Sequence, residues 1–348
     1  MVRALACGLG AVMLAAAAPV HAQDAQPLFQ SDELVSLTLN GPLRAIARDK
    51  KKDQQQWQPG TLSYSDLQGQ AVTLDVELKA RGNYRRKECR YPPLRVRFDK
   101  DQANGTLFEG QRRLKLVAPC EGSKRYEEYV VEEYLIYRMF NLLGDYSFRV
   151  RPLQVRFVDA KGKERESYGF FIEDEKRMAA RYKRKVADWD GASFSMMNPE
   201  ALAMYELFQF LIAGHDWSVI AGPPGSACCH NTKLLTVDES EDDVIPVPYD
   251  FDFSGMIDTS YALPPESVPI RRVRQRYYRG RCTSPEILSQ TLNRFRDQRA
   301  AITQLYSGYE RLKPRTRKDA IRYIDDFYET IDDQDKLQRK IVGRCKKL

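Results

Sequence analysis

Between residues 34 and 118, four stretches alternate apolar and polar side chains: LVSLTLN, VTLDVELKA, PLRVRF and RRLKLVA. A period of two suits a strand with one dry face and one wet face. Turn-forming groups separate the stretches: Asn40-Gly41-Pro42, Pro59-Gly60, Gln68-Gly69 and Asn104-Gly105. This part of the chain is therefore predicted to be a sheet. One helix is predicted over residues 124–143, where Tyr126, Val130, Tyr134, Tyr137 and Leu142 recur at helical spacing and Gly144 stops the run. Two further strands follow, FRVRPLQVRFV and SYGFFIED, joined across Lys161-Gly162. The second half reads as more helical. It holds an apolar helix at 199–213, the loop GHDWSVIAGPPGSACCHN, a strand TKLLTV, an acidic turn, a strand entering PYDFDFSG, and a polar-faced helical region at 284–345.

The first 22 residues read as an export signal. Arg3 gives a positive start, Leu5 to Ala18 is apolar, and Val20-His21-Ala22 resembles a cleavage site. No Leu-x-x-Cys lipobox is present, and no later stretch approaches ~20 apolar residues, so no transmembrane segment is predicted in the mature chain. The expected location is outside the cytoplasm, most simply a periplasm. Six cysteines remain beyond the leader, and in an oxidising compartment an even number implies disulfides. Cys89 is expected to pair with Cys120, and Cys228-Cys229 with Cys282 and Cys345. A metal site is the weaker reading, because C-x-x-C spacing is missing and only His215 and His230 are at hand. The net charge of +7 is interspersed along the 348 residues, and no nucleic-acid partner is expected.

Polar residues gather where the apolar elements of the second half end. Asp216 follows the helix at 199–213, Asn231 opens TKLL, and Asp250 and Asp252 close the next strand. Two antiparallel strands joined by the acidic turn would bring Asn231 beside Asp250. An Asp that orients a hydroxyl, with an Asn and an Asp that hold magnesium through hard oxygens, is the set that phosphoryl transfer requires. The bland reading is that Asp250 and Asp252 only cap the turn before Ser254-Gly255. His215 and His230 flank the candidates and are possible general bases. The RRVRQRYYRGR run reads as a solvated face.

The fragments KARGNYRRKECRYPPLRVRF, RRLKLVAPC, YGFFIEDE, GHDW, HNTKLL and PYDFDFSG, in this order over roughly residues 75 to 260, resemble the CotH-type (spore coat protein H-like) atypical kinases. The HDW, HN, LL and YDFD series is also similar to HipA-type kinases. The resemblance implies an α+β, protein-kinase-like fold of two lobes. A β-rich N-terminal lobe would cover residues 23–174, and a helical C-terminal lobe with its extension residues 175–348. It further implies ATP with Mg2+ or Mn2+, and an unidentified protein or envelope acceptor. Asp216 would be the catalytic Asp. Asn231 and Asp250 would hold metal, with Asp252 accessory. Lys115 would meet nucleotide phosphates and pair with Glu132 or Glu133, and Glu173 would lie near the adenine. Two features depart from the pattern: 14 residues separate Asp216 from Asn231, and no glycine-rich loop precedes Lys115. An inactive kinase-like binding module and a metal-dependent hydrolase are the alternatives.

Overall fold

A computed structural model describes residues 27–50, 56–223, 225–238 and 240–347. The predicted leader at 1–22 lies outside them. The alternating stretches form β1 (Val35–Gly41), then, after the short helix α1 (Leu43–Arg48), β2 (Gln58–Ser65) and β3 (Ala71–Ala80). The short helix α2 (Tyr84–Glu88) leads to β4 (Leu94–Phe98), and α3 (Lys100–Ala103) to β5 (Arg113–Val117). The predicted long helix is α4 (Lys124–Leu143), followed by β6 (Val150–Asp159) and β7 (Glu164–Ile172).

The two-lobed, kinase-like division is not what forms. The strands close into a barrel in the order β1-β2-β3-β4-β5-β7-β6. Closure comes from β6, which lies parallel to β1 with Leu37 opposite Val155, while every other neighbouring pair is antiparallel. A closed sheet leaves no unpaired edge, and its inward residues fill the middle. Leu39, Leu62, Leu78, Val96, Leu116 and Phe171 do this. β7 is buried on both faces. Phe171 points into the barrel, whereas Tyr168, Phe170 and Ile172 join the core around α4. That double burial explains why YGFFI is apolar without alternation.

The rest of the chain packs outside the barrel against α4. It comprises α5 (Glu175–Arg181), β8 (Lys185–Val186), α6 (Pro199–Ile212), β9 (Thr232–Thr236) and β10 (Ile245–Pro248), and then α7 (Pro285–Ser307), α8 (Pro314–Asp332) and α9 (Gln334–Lys340). α6 is apolar on nearly all sides and is correspondingly buried; Asn198 caps its start, its side chain accepting from Ala201 N–H at 2.8 Å. β8, β9 and β10 form a separate small sheet. Among the described helices none is long and apolar enough to cross a membrane.

Among the described residues three disulfides are present. Cys89–Cys120 is the expected pair. The other two depart from expectation: Cys228 bonds to its neighbour Cys229, and Cys282 bonds to Cys345. The second pairing follows from a contact remote in sequence, in which Cys282 N–H donates to Lys346 O and Lys346 N–H to Gly280 O. RRVRQRYYRGR is not a solvated face. Arg276 donates to the carbonyl oxygens of Leu211 and Tyr323 and stacks on the Tyr323 ring.

Candidate functional site

β9 and β10 pair antiparallel with Thr232 opposite Pro248. One step further, Tyr249 N–H donates to Asn231 O at 3.1 Å, which sets Asn231 beside Tyr249-Asp250. Both Asn231 (φ +49°) and Asp250 (φ +63°) are left-handed. Asn and Asp tolerate that conformation better than most residues, and it is enriched at functional turns. Asp250 N–H is satisfied by the Tyr137 hydroxyl of α4 at 2.8 Å. The glycine that follows the two carboxylates has a packing reason. A Cβ on Gly255 would lie 2.2 Å from Val273 O and 2.8 Å from the Ala213 Cβ. Only a bare backbone lets Gly255 N–H reach Ala213 O at 3.0 Å and tie this loop to the end of α6.

Both carboxylates of the D-x-D segment turn toward Arg85 on α2. Asp250 Oδ1 lies 2.9 Å from Arg85 Nη2, and Asp252 Oδ2 lies 3.2 Å from Nε. Glu133 of α4 is the third acid, at 3.4 Å from Nη1. One buried guanidinium cannot neutralise three carboxylates. Burial pushes Glu133 up to about 8, since Arg85 opposes the rise only in part and Asp252 and Asp250 add to it. Burial likewise lifts Asp252 to about 6 against Arg85. Burial also acts to raise Asp250, but Arg85, Arg81 and Lys115 outweigh it and hold that carboxyl below its ordinary value. The knot thus favours the protonated form of Glu133 and the ionised form of Asp250.

Asp216 sits in a different setting. Its Oδ1 is 2.7 Å from His230 Nε2, and Asn231 Nδ2 donates to its Oδ2 at 3.0 Å and to its backbone oxygen at 2.7 Å. The hydrogen bond to Asp216 raises the His230 pKa, although burial opposes the rise. Ser218 N–H donates to His230 O, so the 14-residue interval is a closed excursion whose two ends meet. Arg279 holds the Asp216 turn by donating to His215 O at 2.6 Å and Trp217 O at 3.3 Å. His215 is structural: it is buried, bonded to Gln275 O at 2.8 Å, and its pKa is lowered by burial.

Asp216, Asn231 and Asp250 line one cavity of about 10 Å³ with Tyr249 and Phe253. That is room for one water-sized body. Asp252 is not in its lining; it accepts from the Tyr261 hydroxyl at 3.1 Å and faces Arg85, which removes it as an accessory metal ligand.

Lys115 stands on β5 directly opposite Arg95 of β4, an unfavourable like-charge pair. Glu175 relieves it, at 2.7 Å from Lys115 Nζ. The expected pair of Lys115 with Glu132 or Glu133 does not form: Glu175 takes Lys115, and Arg85 takes Glu133. Burial would raise the Glu175 pKa, but Lys115, Lys233 and Arg95 together pull it down to about 2. Burial lowers the pKa of Lys115, with Arg81 adding to the effect against Glu175. The Lys115 and Lys233 ammonium groups lie 4.8 and 5.5 Å from the Tyr249 ring. Arg81 Nε is buried without a hydrogen-bond partner among the described residues. Glu173 is not free to meet an adenine. Its carboxylate is spent on Arg181 at 2.8 Å and on Arg149 N–H at 3.0 Å.

Sequence reasoning missed Arg85, Lys233, Glu175 and Arg279, and it singled out Arg81-Gly82-Asn83 only as a motif of the resembled family, without a role. Arg81 and Arg85 belong to the RGNYRR segment, whose role no local pattern reveals. The oxygens of Asn231 and Asp250 are a hard donor set suited to magnesium, which commonly takes one or two protein ligands and completes its shell with water and phosphate. Among the described residues no group of three or more His, Cys, Asp or Glu is arranged to hold a metal, so an all-protein cage is not built. Comparisons of the chain with protein-family models, with curated proteins and with solved structures found no match.

Proposed function

We propose that this cleft binds a phosphate-bearing substrate, a nucleotide such as ATP first among them, and transfers a phosphoryl or nucleotidyl group to an acceptor hydroxyl outside the cytoplasm. The observation that carries the reading is the meeting of Asp216, Asn231 and Asp250 around one small cavity, with Lys115, Lys233 and Arg81 gathered about the adjoining Tyr249 and Glu175. With Arg95, these cations outnumber the neighbouring carboxylates Glu175 and Asp250, a balance that favours a polyanion. Asn231 and Asp250 would hold Mg2+ or Mn2+, whose contribution is to neutralise phosphate charge. Asp216 orients the acceptor O–H. As the acceptor oxygen bonds to phosphorus, the bridging P–O bond breaks, its electron pair leaves with the nucleoside diphosphate (with diphosphate in nucleotidyl transfer), and the acceptor proton passes to Asp216. Lys115 and Arg81 offset charge on the phosphate oxygens. The disulfides support an oxidising compartment.

A second reading rests on the Arg85–Asp250 pair at 2.9 Å, which occupies one oxygen of the carboxylate assigned to the metal. On that reading the module binds a phosphate-bearing partner and transfers nothing. Thermal unfolding with ATP, magnesium and manganese, beside Asp250→Ala, separates the two. The variant is expected to fold, since Arg85 keeps Glu133 and Asp252. A rise in Tm that needs both nucleotide and metal, and disappears in the variant, supports transfer. A nucleotide shift that ignores metal and survives the substitution supports binding alone. No shift at millimolar nucleotide overturns both.

A further inference from the structure

On the other side of α2 the chain forms a larger cavity of about 480 Å³, bounded by α1, the segment 89–94 and the β6–β7 hairpin. Ligand pockets commonly fall in this size range. Its lining carries the cations Arg44, Arg48, Lys50, Arg90, Lys163 and Arg165 against the two carboxylates Asp159 and Glu164. Both carboxylates are engaged already. Asp159 accepts from Arg44 N–H at 2.8 Å, and Glu164 binds Arg156 at 2.6 Å.

Arg165 is the telling residue. Its guanidinium lies 3.8 Å from the Phe157 ring centre and 4.2 Å from that of Tyr91. Its hydrogen bond is a long one, 3.3 Å to Ser167 Oγ, and among the described residues no carboxylate pairs with it. Burial pulls its pKa down to about 10. A guanidinium packed among rings keeps its N–H edge for a ligand, and that edge matches a carboxylate or phosphate. The frame around it is fixed. Lys50 Nζ donates to Arg86 O and Cys89 O, Arg86 donates back to Lys50 O, and Cys89 is bridged to Cys120. The remaining wall, including Leu43, Ala47 and Leu94, is apolar.

We propose that this cavity is a second ligand site, separate from the Asp250 cleft, for a small amphiphilic anion: a compact apolar or aromatic body bearing one carboxylate or phosphate. The test is calorimetric titration of the oxidised protein with 1-naphthyl phosphate, 1-naphthoate and the neutral 1-naphthamide. One anion is expected to bind per chain at least tenfold more tightly than the amide, and the tighter of the two anions names the head group. Arg165→Met and the rim variant Arg48→Gln should each weaken anion binding about fivefold or more, while Asp250→Ala leaves it unchanged. Equal affinity for the amide overturns the proposal, as does failure of both anions to bind, or a loss in Asp250→Ala. If Arg165→Met does not fold, an unchanged affinity in Arg48→Gln overturns it alone.

Discussion

The Arg85 knot and the Asp216 group contain the same kinds of residue, yet they differ in exposure. Glu133 and Asp252 are 1% and 7% exposed at their side chains, whereas Asp216 is 45% exposed. Asp250 stands between them at 27% and touches both regions, bonding to Arg85 and lining the cavity with Asp216. Deep burial turns carboxylates into structural partners that must share a cation or hold a proton. Partial exposure leaves Asp216 in contact with solvent. The chain thus places a buried, ion-paired group beside a more exposed one, and Asp250 touches both.

Three substitutions probe that division, from the strongest effect to the weakest. Arg85→Met should cost roughly 3–5 kcal/mol in chemical denaturation, because it removes the buried cation that the carboxyl groups of Asp250, Asp252 and Glu133 share. A loss below about 1 kcal/mol would show that the knot is not what holds α2 to α4. Asp216→Asn should leave stability within about 1 kcal/mol and reduce any nucleotide-dependent transfer at least 100-fold, the scale of a lost general base. The same change removes the ionic partner of His230, so the imidazole titration followed by NMR in metal-free protein should move to lower pH. The sign follows from linkage: a His pKa raised in the fold stabilises below its unfolded pKa and is lost as pH rises through the folded one. An unmoved titration would contradict the Asp216–His230 pair. Tyr137→Phe is the mildest. It removes the acceptor of Asp250 N–H and should cost about 1 kcal/mol with a few-fold drop in activity. An effect as large as that of Arg85→Met would mean that the two regions are one.

Much of the local architecture was legible in the chain. α4 matches the predicted 124–143, and the β9–β10 pairing did bring Asn231 beside Asp250. Periodicity and turn residues act within a few positions, so they can be read directly. The two-lobed expectation failed because barrel closure rests on β1 meeting β6 more than a hundred residues later. Lys115 and Glu133 were read as partners for a similar reason. Arg85 lies on a short polar helix whose sequence does not show that it is buried.

The sequence by itself determined the strands, the long helices, the turn chemistry and the order of Asp216, Asn231 and Asp250, because each depends on neighbours along the chain. Tertiary structure alone decided the closed barrel, the disulfide partners Cys282 and Cys345, the capture of Glu133 and Asp252 by Arg85, and the exposure that separates Asp216 from them. Those outcomes depend on which distant groups meet and how much water each loses, and a carboxylate's chemistry follows its surroundings more than its place in the chain.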